Sequence, residues 1–303
     1  MKESRRGSLK RREAIEGWLF ASPWIAGFLI FTIGPIIASF ILSFCDYSVY
    51  SAAKWIGIEN YRKMFFEDSL YWTSLYNTVY YLISVPLGMT VALGCALLLN
   101  RQLIGKNVLR TMYYLPSVTS GVAISLLWMW IFDPNLGFFN DLLKRVGING
   151  PLWLQSEKWS KPAIILMSFW GIGGTMVLYL AALQGVPEQL YEAAELDGAN
   201  SWQKFWHVTI PMLSPTILFT LVMGIIGSFQ VFTQAYVMTN GGPLNSTLFY
   251  VLYLYRNGFV WLHLGYASAM AWVLFIIILV ITLLIFRSSP AWVYYEAKRG
   301  KWI

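Results

Sequence analysis

Charge is scarce in this chain. Asp, Glu, Lys and Arg make up 12% of its 303 residues, against about 25% in an ordinary soluble domain. Histidine and cysteine are scarcer still, with two of each. Cys45 falls near the end of a long apolar run and Cys95 inside another, so neither their spacing nor their depth fits a disulfide framework or a metal site, and both read as small buried apolar residues. A nucleotide-driven motor within the chain is excluded too. A phosphate-cradling loop needs a Gly-rich turn ending in Gly-Lys-Ser/Thr at a helix start, and the two Gly-Lys pairs, Gly105-Lys106 and Gly300-Lys301, are followed by Asn107 and Trp302. No His/Glu metal spacing, paired intramembrane carboxylates or nucleophile elbow is present, so the chain is not read as an enzyme. The net charge of +7 does not indicate nucleic acid, because the basic residues are spread along the chain rather than gathered with stacking aromatics.

What is abundant is apolar. Hydrophobic residues make up 57% of the chain, with 15 Trp, 18 Tyr and 19 Phe, and the mean hydropathy is +0.55. A membrane-spanning helix needs roughly 20 mostly apolar residues. Six runs qualify, at 17–44, 77–99, 111–132, 162–183, 212–237 and 266–286, and none contains Asp, Glu, Lys or Arg. The first follows a basic amino terminus but is longer than a secretory signal core, so it is expected to stay as a helix. Pro35, Pro86, Pro116 and Pro215 lie in or at the start of these runs, where bilayer helices tolerate them, and they predict kinks rather than breaks.

The expected architecture is therefore an all-α integral membrane protein of six spans. A basic segment, 1–16, precedes one membrane domain, 17–286, and a basic tail, 287–303, follows it. Placing the amino terminus inside puts fourteen Lys and Arg on that side against eight on the other, so the positive-inside rule sets both termini in the cytoplasm. The connections 46–76 and 133–161 are too short for a separate domain core. Asn240, Gly241, Gly242 and Pro243 form a strong turn signal, and the sequon Asn245, Ser246, Thr247 beside it reads as part of the turn rather than as a glycan site.

Uncharged spans also restrict the energy source. Ion-coupled carriers hold ionisable or cation-coordinating groups at membrane depth. Here His207 falls in a loop and His263 just outside the last run, while Glu16 and Asp133 mark run ends. If solute moves uphill, another subunit must supply the energy. An ion-coupled secondary carrier and a polytopic membrane assembly protein remain as alternatives; the first lacks an ion site and the second a catalytic cluster.

The loop 187–211 between the fourth and fifth runs reads as two short helices joined by a sharp turn. Pro187 suits the first helical position, with Glu188 beside the positive end of the dipole. Gly198 stops the first helix because glycine takes a positive φ without penalty. Asn200 with Gln203 matches a capping box, and Pro211 is expected to end the second helix. Leu190, Ala193 and Ala194 offer a slim apolar surface, and Glu192, Glu195 and Asp197 add acidic contacts. Two readings stand: a docking helix for a partner, or an amphipathic helix lying on the bilayer. Bilayer-surface helices are rich in Lys and Arg, and the net acidity favours docking.

These residues also resemble a known family. Glu192, Ala193 and Ala194, then Gly198, then Ile210 and Pro211 are similar to the EAA loop of binding-protein-dependent ABC importer permeases. Tyr191, Asp197, Ala199, Phe205 and Pro215 extend the likeness to the carbohydrate-uptake branch, which includes permeases for maltose and glycerol phosphate. Ser22-Pro23-Trp24, the segment from Trp55 to Tyr61, and the segment from Thr239 to Pro243 are further matches, so the resemblance covers almost the whole chain; Val208 stands where the family usually has Ile. The resemblance implies a type I importer permease fold in a bacterial or archaeal cytoplasmic membrane. It implies as partners a second, homologous permease, a cytoplasmic ATPase dimer and an extracytoplasmic solute-binding protein. This chain then binds no cofactor, and ATP and magnesium belong to the ATPase. Glu192, Ala193, Ala194, Asp197 and Gly198 become the coupling element. With no charge at depth the solute is handled by hydrogen bonds and ring stacking, which suits a sugar or polyol. The candidates that the resemblance places along its path are Ser168, Phe169, Trp170 and Gly171 in the fourth run and Gly224, Gly227, Ser228, Gln230 and Gln234 in the fifth. Small residues with Ser and Gln also serve ordinary helix packing in bilayers.

Overall fold

The computed structural model describes residues 2–101 and 104–294, with side chains from residue 13 onward; the basic tail beyond 294 lies outside the described residues. Among these, four helices are long and apolar enough to cross a membrane: Glu13–Leu42, Ser69–Asn100, Ser201–Phe229 and Leu264–Ala291. Two further pairs pass together but are bent, and with each pair taken as one span the count is six. The described residues form two compact units, 2–67 with 256–273, and 68–255 with 274–294.

In the first unit α1 (Lys2–Phe28) continues through a π turn (Leu29–Ile33) into α2 (Gly34–Leu42). The ladder widens at this point to Gly34 N–H donating to the Leu29 carbonyl. Pro35, which has no N–H to donate, follows directly, and the helix accommodates it beside a π bulge. Beyond α2 the chain makes a two-stranded antiparallel hairpin, β1 (Cys45–Ser48) and β2 (Ser51–Trp55), then α3 (Glu59–Phe66). The hairpin departs from the all-helical expectation. Every side chain of β2 is exposed, so no alternation of apolar and polar residues announced it. Asn60, buried on α3, ties the hairpin down by donating from Nδ2 to the Ser43 and Cys45 carbonyls, each at 2.9 Å. Trp272 stacks edge-on against Phe40 (4.8 Å) and donates from Nε1 to Ser39 Oγ (3.2 Å).

The second unit begins with α4 (Ser69–Tyr81), whose amino end is capped by Asp68 Oδ1 accepting from the Leu70 and Tyr71 amides. A two-residue turn leads to α5 (Ser84–Asn100). The third expected span is α6 (Lys106–Tyr114), a 3-10 turn over Leu115–Val118, then α7 (Gly121–Ile131), and it bends by 102°. Pro116 therefore sits at a break, not the kink its setting led one to expect. Hydroxyl groups take the carbonyls the break exposes: Ser117 Oγ donates to the Tyr114 carbonyl (2.6 Å) and Thr119 Oγ1 to that of Leu115 (3.1 Å). Such re-satisfaction is what non-helical backbone at membrane depth requires.

After α7, Asp133 closes a turn by accepting from the Asn135 and Leu136 amides at 2.9 and 2.8 Å, and these bonds hold its carboxyl below the usual range. A short helix, α8 (Phe138–Arg145), follows. The fourth span bends by 48° between α9 (Glu157–Ser168) and α10 (Gly173–Gln184), through a 3-10 turn over Phe169–Gly171. The two broken spans meet at their breaks. A Cβ on Gly173 would lie 2.8 Å from Tyr114 Cα, so only glycine allows this approach.

The loop 187–211 holds α11 (Glu188–Leu196) and α12 (Ser201–Lys204). A π turn (Phe205–Thr209) then runs directly into α13 (Ile210–Phe229). Pro211 does not end a helix as expected: α12, the π turn and α13 form one helix, Ser201–Phe229. As at Pro35, the π turn sits immediately before the proline's turn. The chain closes through α14 (Tyr250–Tyr255) and α15 (Leu264–Ser288). The turn expected over 240–243 is present, with Asn240 and Gly241 both at positive φ. Ser246 and Thr247 of the sequon are buried, bonding to Ser160 Oγ (2.8 Å) and Thr239 Oγ1 (2.6 Å), as its reading as part of the turn requires.

The core of the second unit is built from α5, α10 and α13. Ala92 and Ala96 of α5 and Met176, Tyr179 and Leu180 of α10 are buried against Leu213 of α13. Small residues let helix backbones approach where lipid tails supply no hydrophobic drive. Across this contact Tyr179 and Thr220 share a buried hydroxyl bond of 2.7 Å, a tie worth about 0.6 kcal/mol within a bilayer.

Candidate functional site: an uncharged cavity and a two-helix loop

A cavity of about 290 Å³ opens beside this core, between α4, α5, the break of the fourth span and α13. Its chemistry is uniform. Tyr81, Ser84, Ser168, Thr175, Thr220 and Ser228 contribute hydroxyls, and Gln234 contributes an amide. Val85, Met89, Ile172 and Val231 form apolar wall, and Gly88, Gly171, Gly224 and Gly227 bring bare backbone to the surface. No lining residue is charged. The Tyr81 hydroxyl sits against those of Ser168 and Ser84. Such a lining grips hydroxyl-rich neutral groups by hydrogen bonds and offers an ion no charged side chain.

The glycines differ in what they permit. A Cβ on Gly224 would lie 2.8 Å from Val85 Cγ1, whereas a Cβ on Gly171 or Gly227 would meet no atom within 4 Å. Gly224 therefore allows the close crossing of α5 and α13, and the other two leave space in the cavity itself.

Six of the nine residues expected along a solute path come together here: Ser168, Gly171, Gly224, Gly227, Ser228 and Gln234. Phe169, Trp170 and Gln230 do not line this cavity. Trp170 is 47% exposed and packs edge-on against Trp128 (5.9 Å), at the margin of an aromatic cluster with Phe132, Phe139 and Trp153. Gln230 is exposed at the carboxyl end of α13. The residues from α4 and α5, together with Ile172, Thr175, Thr220 and Val231, were missed. They sit in three apolar runs whose hydroxyls carry no periodic signal of their own, and only the packing of α5, α10 and α13 assembles them.

The loop 187–211 follows its local chemistry closely. Pro187 is the residue capping α11, one position earlier than expected, with Glu188 first in the helix. Gly198 has φ +79° and closes a Schellman motif: its N–H donates to the Glu195 carbonyl (3.0 Å) and that of Ala199 to the Ala194 carbonyl (2.9 Å). The Asn200 capping box is complete, with the Gln203 amide donating to Asn200 Oδ1 (2.9 Å) and the Asn200 amide to Gln203 Oε1 (2.8 Å). Glu192, Ala193, Asp197 and Gly198 are exposed, and Ala194 is half-buried. Exposed apolar side chains flank them, with Leu190 on α11, Leu196 at its end and Trp202 on α12.

Residues 84–291 match the family model described as "binding-protein-dependent transport system inner membrane component", which takes in the loop and every cavity-lining residue except Tyr81. The chain is 45% identical over 293 residues to a probable ABC transporter permease protein, YesP, of Bacillus subtilis, an alignment covering 95% of this chain and 94% of that one. It is 38% identical over 301 residues to the lactose transport system permease protein LacF of Rhizobium radiobacter, covering 95% and 99%. Among solved structures it superposes with TM-score 0.79 and 25% identity on a chain of a bacterial alginate ABC transporter in complex with an alginate pentasaccharide-bound periplasmic protein, covering 93% of this chain and 96% of that one. By sequence and by fold, this chain belongs to the inner membrane components of binding-protein-dependent transport systems, the permease subunits of ABC importers.

Proposed function

We propose that this permease imports a neutral sugar or oligosaccharide across a bacterial or archaeal cytoplasmic membrane, with ATP hydrolysed on a partner subunit. The observation that supports this reading most is the cavity of hydroxyls, one amide and bare backbone with no charged lining. It fits a solute rich in hydroxyl groups and is poorly suited to a coupling ion. The lactose permease relative and the alginate transporter neighbour favour a carbohydrate. In this reading both termini and the loop 187–211 face the cytoplasm. Glu192, Ala193, Ala194, Asp197 and Gly198 dock on the ATPase, which alone holds ATP and magnesium, while this chain binds no cofactor. A second permease completes the membrane pore, and an extracytoplasmic binding protein delivers the sugar; the periplasmic protein bound in the alginate complex supports that last partner. Closure of the ATPase dimer then moves the loop and, through it, α13 and the cavity wall.

The test is ATP hydrolysis by the assembled complex in proteoliposomes. Hydrolysis is expected to rise when sugar-loaded binding protein is added, and to rise less with Gly224→Val, whose side chain meets Val85. A rate indifferent to the loaded binding protein would refute the proposal.

A further inference from the structure

The loop holds a second set of contacts that face inward. Lys204, in the last turn of α12, forms an ion pair with Glu195, in the last turn of α11. The Lys204 side chain is 21% exposed and that of Glu195 62%. This pair reaches across the Gly198 turn. A second tie lies alongside: the Tyr191 hydroxyl on α11 and Thr209 Oγ1 are 3.0 Å apart. Thr209 is buried at the end of the π turn, and its Oγ1 also reaches the Lys204 carbonyl at 3.4 Å. Both ties therefore run from α11 to the helix Ser201–Phe229, which presents Gly224, Gly227 and Ser228 to the cavity.

We propose that Glu195 and Lys204, seconded by Tyr191 and Thr209, are positioning residues that brace α11 to the base of the fifth span, so that a push on the docking helix becomes a movement of α13. The inference rests on the loop being the ATPase-docking element. The mechanical reason is local. Gly198 sits in the connection between α11 and α12 at φ +79°, and glycine there leaves the backbone free in φ. A docking helix held by that connection alone would rotate on it and absorb displacement. Two ties across the turn remove that freedom. The chemistry divides the same way. Of the four acidic side chains in the loop, Glu195 is the one with an ion pair among the described residues, while the exposed Glu192 and Asp197 remain for a partner.

The experiment compares Glu195→Lys, Lys204→Glu and the charge-swapped double variant in the complete complex of both permeases, ATPase and binding protein, and reads sugar imported per ATP hydrolysed. Each single reversal is expected to lower that ratio about twofold to fivefold, the range a partly exposed ion pair supports, with the ATPase still co-purifying. The double variant is expected to recover most of the loss. Tyr191→Phe, which removes one hydroxyl and little packing, is expected to lower the ratio less, while Lys204→Arg keeps it. An unchanged ratio in the single reversals, or a double variant no better than the singles, would overturn the brace. Failure of the wild-type chain to retain the ATPase would instead overturn the docking assignment on which the brace depends.

Discussion

At the scale of single residues, two glycines do different work and predict different failures. Gly198 has open space around it, yet its φ of +79° excludes a β-branched side chain without strain, a cost of about 1–2 kcal/mol or more. Gly198→Val is therefore expected to abolish uptake while membrane insertion, measured by fractionation, stays normal. Gly198→Asn, whose residue enters the left-handed region more easily, is expected to lose less. Gly224 is tight where Gly198 is open. Valine there overpacks the crossing with α5 at about 1–3 kcal/mol, and uptake is expected to fall roughly tenfold. The amides separate the cavity from its surroundings: Gln234 lines it and Gln230 does not. Gln234→Ala is expected to raise the KM for uptake more than Gln230→Ala; equal effects would show that solute passes on both sides of the helix end.

At the scale of elements, the prolines show what local sequence reveals and what it leaves out. Long uncharged runs made the spans legible, and Gly198 with Asn200 and Gln203 made the turn of the loop legible, because those signals are satisfied within a few residues. The bend of the third span was not legible. Pro116 and Pro215 both stand in apolar runs, but the chain breaks by 102° in the span of one and continues as a single helix through the other. What differs is the surroundings: Gly173 lets the break of the fourth span press against Tyr114, a contact between residues far apart in sequence. The cavity was half legible for the same reason. Its glycines and serines on the fourth and fifth spans stand out in sequence, and the share from α4 and α5 exists only through helix packing. Within the loop, the Asn200 capping box holds the start of α12. Asn200→Ala removes it at about 1 kcal/mol, and uptake is expected to fall several-fold while the complex still assembles, a combination that size-exclusion and transport assays on one preparation detect.

At the scale of the whole molecule, the sparse distribution of charge ties the features together. Apolar runs without Asp, Glu, Lys or Arg, an uncharged cavity and a loop with exposed acidic and apolar side chains fit the proposed division, in which this chain gives solute a passage and another subunit supplies the energy. The family match fits this division of labour: the region it covers, residues 84–291, contains the loop and all of the cavity lining but Tyr81, and no phosphate-binding motif. The central claim is that the work of transport comes from ATP on another subunit and not from an ion gradient across these helices. Sugar uptake into proteoliposomes bearing the reconstituted complex measures this directly. It is expected to require enclosed ATP and the binding protein, and to persist unchanged when protonophore and sodium ionophore collapse the ion gradients; uptake by this chain alone, driven by an imposed proton or sodium gradient, would contradict it.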